Sequence, residues 1–132
     1  MTARRLGTPR LHLRATGSTN DRARELAAAG APHGTLVTAA EQSAGRGRQG
    51  RRWSAPAGSA LLASIVLREP PELLPLVAAV AVADVVAAAL AEQAGDAVAI
   101  KWPNDVLLDG RKVAGILARA VRRNAGRSWA SA

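Results

Sequence analysis

Short apolar runs punctuated by turn residues alternate along this chain with two longer segments of helical character. The short runs fall at residues 11–15, 35–40, 59–67, 97–101, 106–108 and 112–120, each bounded by glycine, proline or charged positions. Runs of this length between breakers read as strands. Between the first two, Ser18-Thr19-Asn20-Asp21 offers N-cap chemistry for a helix reaching about Ala29, and Gly30 supplies its stop. Residues 73–91, "LLPLVAAVAVADVVAAALA", predict a second helix that ends near Gly95. Pro75 and Asp84 interrupt this stretch and much of it is alanine. A membrane span needs about 18 strongly apolar residues, so a buried helix is the reading. Asp109-Gly110 between two apolar runs predicts a tight hairpin. Few helices and locally paired strands predict an α+β fold rather than alternating βαβ units.

Composition sharpens this picture at a few points. A chain of 132 residues is about one domain, and no repeat, linker or second domain is apparent. There is no Phe or Tyr, so the core has to be built from Val, Leu, Ile and Ala. The absence of Cys excludes disulfides and thiolate metal sites and favours a cytoplasmic setting. The start, "MTARRLGTPRLHLRATG", lacks the apolar core and cleavage pattern of a signal peptide. A net charge of +8 is compatible with an anionic partner. Abundant Arg, Ala and Gly are also what a GC-rich coding sequence produces, so charge alone selects nothing.

The candidate chemistry is concentrated in three places. "GRGRQGRRW", residues 45–53, holds four arginines and three glycines. Glycines let a backbone approach a ligand and aim its amides at an anion. Arg46 and Arg48, two apart, would share a side if the segment were extended, and could clamp a carboxylate and a phosphate. Taken alone, such a string leans towards a solvated loop or a basic segment touching nucleic acid nonspecifically. In "KWPNDVLLDGRKVAGI", residues 101–116, Pro103 forces a turn that puts Asn104 and Asp105 at its tip. Asp105 suits a magnesium ion, and the hairpin returns Lys112 beside it as a point charge for phosphate or carboxylate. Gly115 marks a close backbone approach. A structural hairpin with a Lys112 salt bridge explains these residues equally well. Ser18, Thr19 and Asn20 read either as a helix cap or as a polar cluster for an uncharged heteroatom group. Ser64, inside an apolar run, is a buried hydroxyl in need of a partner. His12 and His33 have no partner spacing for zinc or a triad.

Taken in order, "GSTND", "EQSAGRGRQGRRW" and "KWPNDVLLDGRKVAGIL" resemble the catalytic domain of biotin protein ligases over residues 13–118. The resemblance implies a class II aminoacyl-tRNA synthetase-like α+β fold, a mixed sheet with flanking helices. It implies activation of biotin by ATP to biotinyl-5′-AMP, with transfer to a lysine of a biotin carboxyl carrier protein. No enzyme nucleophile is required, and catalysis would rest on orientation and charge stabilisation. On this resemblance Ser18, Thr19 and Asn20 contact biotin, and Gln42, Gly45, Arg46, Gly47 and Arg48 form a loop closing over biotin and adenylate. Trp53 borders the nucleotide and Ser64 lines the biotin floor. Asn104 and Asp105 serve the phosphate and Mg2+ side. Lys112 reaches the carboxylate–phosphate junction, Gly115 offers a backbone contact to biotin, and Arg48 and Lys112 are the expected catalytic residues.

Two departures from the family pattern set further expectations. No helix-turn-helix precedes the catalytic part, so a repressor role is not expected. After "VRRNAGRSWASA" neither the family's further glycine- and asparagine-containing strand nor its small C-terminal barrel follows, as a shifted reading frame would explain. A sheet cut near Ala120 would leave an edge unpaired, so poor solubility, weak biotin binding and little transfer are expected. The alternatives are a lipoate-type ligase, a remnant that binds biotin or nucleotide without turnover, and a basic nucleic-acid-binding module with salt-dependent affinity.

Overall fold

The computed structural model describes residues 5–90, 97–122 and 128–131. In chain order the elements are β1 (Arg10–Leu13), α1 (Thr19–Ala28), β2 (Leu36–Ala39), β3 (Gly45–Arg46), β4 (Arg52–Trp53), β5 (Leu62–Leu67), α2 (Leu74–Ala89), β6 (Val98–Lys101), β7 (Asp105–Leu108), β8 (Arg111–Gly115), β9 (Arg119–Arg122) and β10 (Ser128–Ser131). They form two compact units, residues 1–70 with 118–132, and residues 71–117. The end of the second helix predicted near Gly95 lies outside the described residues.

The first unit is built on a five-stranded sheet of order β1-β2-β5-β10-β9. β1 and β2 run parallel, joined through α1, and the other pairings are antiparallel. One β-α-β crossover is therefore embedded in a mostly antiparallel sheet, a feature that local strand pairing alone does not foresee. Ala23 and Ala27 lie one helical turn apart on α1 and bury their methyls against Val37, Val66 and Val121, with Leu13 and Leu26 around them. Alanine on that face lets the helix sit close to the sheet. Each buried valine is worth roughly 1.5–3 kcal/mol.

Both ends of α1 follow the sequence. Ser18 is its N-cap, its Oγ accepting from the amide of Asp21 at 3.4 Å. At the other end Gly30 adopts φ +95°, the amide of Ala31 donates to the Leu26 carbonyl, and that of Gly30 donates to Ala27. This pattern is a Schellman stop, and it requires the left-handed residue that glycine supplies. Arg68, just past β5, donates to the carbonyls of Ala27 and Ala31, placing a cation at the negative end of the helix.

Two strands follow residue 118, against the expectation of a sheet cut near Ala120. β9 pairs with β10 from Arg119↔Ser131 to Arg122↔Ser128, and β10 pairs in turn with β5 through Ala130↔Leu67. Residues 112–120 do not form the single strand predicted. Asn104 donates its side-chain amide to the Ile116 carbonyl at 3.0 Å and its own carbonyl takes the Ile116 amide at 2.9 Å. Those bonds end β8, and the chain continues as β9 in the other unit.

The second unit is an antiparallel meander, β6-β7-β8, against which α2 packs. Asp109 and Gly110 both take positive φ, +50° and +74°, as the expected two-residue hairpin turn demands. The buried-helix reading of α2 requires correction. Only Leu74 and Ala79 are buried, while Val77, Val80 and Val85 are exposed. One face rests on β6 and β7. A helix apolar on all sides buries only what it finds a neighbour for. Among the described residues, no helix is long and apolar enough to cross a membrane.

Candidate active site

The polar cluster of the first unit assembles at the N-terminus of α1. Ser18, Thr19 and Asn20 are all buried, although they begin a helix whose first amides would otherwise face solvent. The amide of Thr19 donates to Gln42 Oε1 at 2.7 Å, so a side chain from another segment satisfies one of those orphan donors. The Thr19 hydroxyl meets the Ser64 hydroxyl at 2.9 Å, both side chains being buried. Ser64 thus finds its partner in Thr19. Each hydroxyl can donate once and accept twice, so the pair retains capacity for a ligand. Backbone bonds from Thr16 to Glu41, Ser43 to Thr16 and Ala44 to Gly17 lay residues 41–44 alongside residues 16–17 and fix this geometry.

The glycine–arginine stretch is a small hairpin. β3 and β4 pair Gly45 with Trp53 and Arg46 with Arg52, and Arg48–Gly50 make a 3-10 turn at the tip. Gly45 is required by packing: a Cβ there would strike the Trp53 carbonyl oxygen and come within 2.8 Å of Gln42 Nε2. Gly47 holds the base of the turn through its amide bond to the Arg51 carbonyl at 2.7 Å. The strand ends at Arg46, Gly47 remains extended (φ −114°, ψ −178°) and Arg48 opens the turn, so the two arginines do not belong to one strand. Arg46 instead turns to Asp21, its Nε 2.8 Å from Oδ2. Arg119 from β9 reaches Oδ1 of the same carboxylate at 2.5 Å and Asn20 Oδ1 at 3.4 Å. Burial pushes the Asp21 carboxyl up, but hydrogen bonds and charge from Arg46 and Arg119 outweigh it and hold the pKa below the ordinary 3.8.

In the second unit the hairpin does bring Lys112 to Asp105, Nζ to Oδ1 at 2.9 Å. Asp105 is the first residue of β7 and pairs in register with Gly115, while Asn104 occupies the turn before it. A Cβ on Gly115 would lie 3.0 Å from the Lys112 Nζ and 3.5 Å from Asp105 Oδ1, so the glycine makes room for the ion pair. A magnesium ion here would have to be held chiefly by phosphate oxygens. Asp105 is a single carboxylate whose buried Oδ1 already faces an ammonium, and the described residues hold no cluster of three potential metal ligands. The two histidines have structural partners: His12 Nδ1 meets the Thr38 hydroxyl at 2.8 Å and His33 Nδ1 accepts from the Arg68 amide at 3.1 Å.

Comparison with known proteins decides what this arrangement belongs to. The model of the biotin/lipoate A/B protein ligase family matches residues 13–128, ten residues beyond the reach of the sequence motifs. The chain belongs to this family. It is 47% identical over 105 residues to the bifunctional ligase/repressor BirA of Bacillus spizizenii, covering 76% of this chain and 31% of that protein. It is 48% identical over 107 residues to the biotin--[acetyl-CoA-carboxylase] ligase of Paracoccus denitrificans, covering 77% of this chain and 43% of that one. The chain thus spans less than half the length of these curated relatives. Among solved structures, the Leishmania major biotin protein ligase in complex with biotinyl-5-AMP matches with a TM-score of 0.70 at 28% identity, covering 94% of this chain and 55% of that one. The Aquifex aeolicus biotin protein ligase in complex with biotin and ATP gives 0.69 at 27%, covering 94% and 50%. The fold is the class II synthetase-like mixed sheet of the biotin protein ligases.

Within this family member, sequence reasoning missed two residues of the first cluster. Asp21 reads as ordinary helix-start chemistry, and Arg119 sits in an apolar run with nothing local to mark it. One signal was present: Asp21 is an acid next to a polar cap, in a chain where arginines seek partners.

Proposed function

We propose that this domain activates biotin with ATP and passes it to a biotin carboxyl carrier protein. The biotin carboxylate attacks the α-phosphate, forming biotinyl-5′-AMP as pyrophosphate leaves. The ε-amine of a carrier lysine then attacks the acyl carbon, losing a proton, and AMP departs. The observation that carries this reading is the buried Thr19–Ser64 pair, with half-buried Gln42 bonded to Thr19, beside a glycine–arginine hairpin. Neutral donors and acceptors held dry suit an uncharged ureido ring, and guanidiniums suit carboxylate and phosphate. Membership in the family and the relatives' names support it.

In this reading Ser18, Thr19, Asn20, Gln42 and Ser64 orient biotin, and Gly115 offers it backbone. Gly45, Arg46, Gly47 and Arg48 close over the adenylate and slow its loss to water. Trp53 and Asn104 serve the nucleotide, and Arg48 and Lys112 stabilise charge at the reacting carboxylate and phosphate. Mg2+ arrives with ATP as part of the substrate. Asp105 holds Lys112 in place, and no step is routed through a resident metal. The reaction uses no thiol and the chain has no Cys, which suits a cytoplasmic enzyme.

The test offers the purified chain ATP, a carrier domain and either biotin or lipoate, and follows carrier mass. A biotin-dependent increase is expected, in place of the little transfer anticipated from a sheet cut near Ala120, because β9 and β10 extend that sheet. An increase with lipoate alone would move the substrate to the lipoate side of the family, and no acylation with either would overturn the ligase reading.

A further inference from the structure

We propose that Asp21 is the positioning residue of the arginine hairpin, holding Arg46 and Arg119 together at the start of α1 to receive the anionic groups of the adenylate. This deepens the biotin-activation reading and rests on it.

The three residues come from α1, β3 and β9, and each carboxylate oxygen serves a different guanidinium, Oδ2 at 2.8 Å from Arg46 and Oδ1 at 2.5 Å from Arg119. Asp21 is itself fixed, because its amide donates to Ser18 at the helix cap. Arg119 is fixed a second time through Asn20. Residues 45–53 contain four arginines and no acid, so a carboxylate that pairs with the hairpin has to come from another segment. Without the Asp21 carboxylate, Arg46 and Arg119 would repel each other. Arg46 is half exposed and meets Asp21 through Nε. A guanidinium has five donors, so a phosphate or carboxylate can be added to the same group while Asp21 keeps its orientation. The carboxylate thus aims a cation without consuming it.

A merely structural role would be different. An acid in the first turn stabilises a helix through the dipole whatever its partners do. The two are separated by trypsin cleavage after Arg48 and Arg51 in the ligand-free 132-residue chain, read by mass spectrometry against cleavage after Arg5. D21N should raise hairpin cleavage about fivefold, the scale of a partly exposed charged hydrogen bond, with control cleavage unchanged. D21E should restore part of the protection, and R119Q should give an intermediate rise. If D21N fails to fold, R46Q tests the same contact from the hairpin side, leaving α1 untouched, and the same rise is expected after Arg48 and Arg51. In saturating ATP, D21N should raise the KM for biotin about fivefold with a smaller change in kcat. Unchanged hairpin cleavage in the folded variants, or a rise shared by every site, would overturn the proposal. Because cleavage is read without ligand, failure of the wild-type chain to use biotin would overturn the ligase reading and leave the contact's own test standing.

Discussion

Between residues 105 and 115 a lysine, an aspartate and a glycine meet within one hairpin. At the start of α1 the groups that meet come from residues 19, 21, 42, 46, 64 and 119. The first arrangement is local and half exposed: a turn type sets the register, and the register sets the ion pair. The second is nonlocal, with Thr19 and Ser64 buried and Asp21, Arg46 and Arg119 partly exposed, and exists only when helix, sheet and hairpin are all in place. A charge for a reacting group can be presented by a hairpin alone. A dry polar surface that fits one ligand demands convergence of several segments.

The glycines break this comparison most sharply. Gly45→Ala drives a Cβ into the Trp53 carbonyl, which is backbone and cannot swing away, so a loss of about 1–3 kcal/mol and separation of Gln42 from Thr19 are expected. Gly115→Ala meets only the flexible end of Lys112, and unfolding in urea should place it within about 0.5 kcal/mol of wild type. Comparable losses for the two would mean that the regions are built alike.

Thr19→Val should come next. It leaves the buried Ser64 hydroxyl without its partner, at a cost of about 1–3 kcal/mol in urea unfolding. Removing both hydroxyls, Thr19→Val with Ser64→Ala, should recover much of that stability while biotin binding stays weak. Additive losses in this cycle would show that the hydroxyls do not form a pair.

Lys112→Ala should cost about 1 kcal/mol or less in stability, since the ammonium is partly exposed. Its effect on adenylate formation should be far larger than on the biotin Kd. Normal adenylate formation would reduce Lys112 to a structural residue.

The smallest effect is the pH dependence from Asp21. Its folded pKa lies below the ordinary 3.8, held down by hydrogen bonds and charge from Arg46 and Arg119 against the opposing effect of burial. Its contribution to stability is therefore fully present above that ordinary value and is lost as pH falls through the folded one. Urea midpoints from pH 5 downward should fall more for wild type than for Asp21→Asn. Parallel curves would remove Asp21 from the acid response.

The legible parts of this molecule follow the same division. Asp109-Gly110 announced the hairpin, and with it the meeting of Lys112 and Asp105. Ser18 and Gly30 announced both ends of α1. Arg119 could not be read because its partner lies a whole domain away in sequence and only sheet order joins them. The exposed side of α2 was misread because alanine and valine look buried wherever they occur in a row.

Biotin-dependent exchange of labelled pyrophosphate into ATP tests the central claim most directly, because it requires only the activation step. The account predicts exchange by the purified 132-residue chain with biotin, little with lipoate, and a marked loss in Thr19→Val. Absence of exchange in a chain that is folded and saturated with both substrates would contradict it.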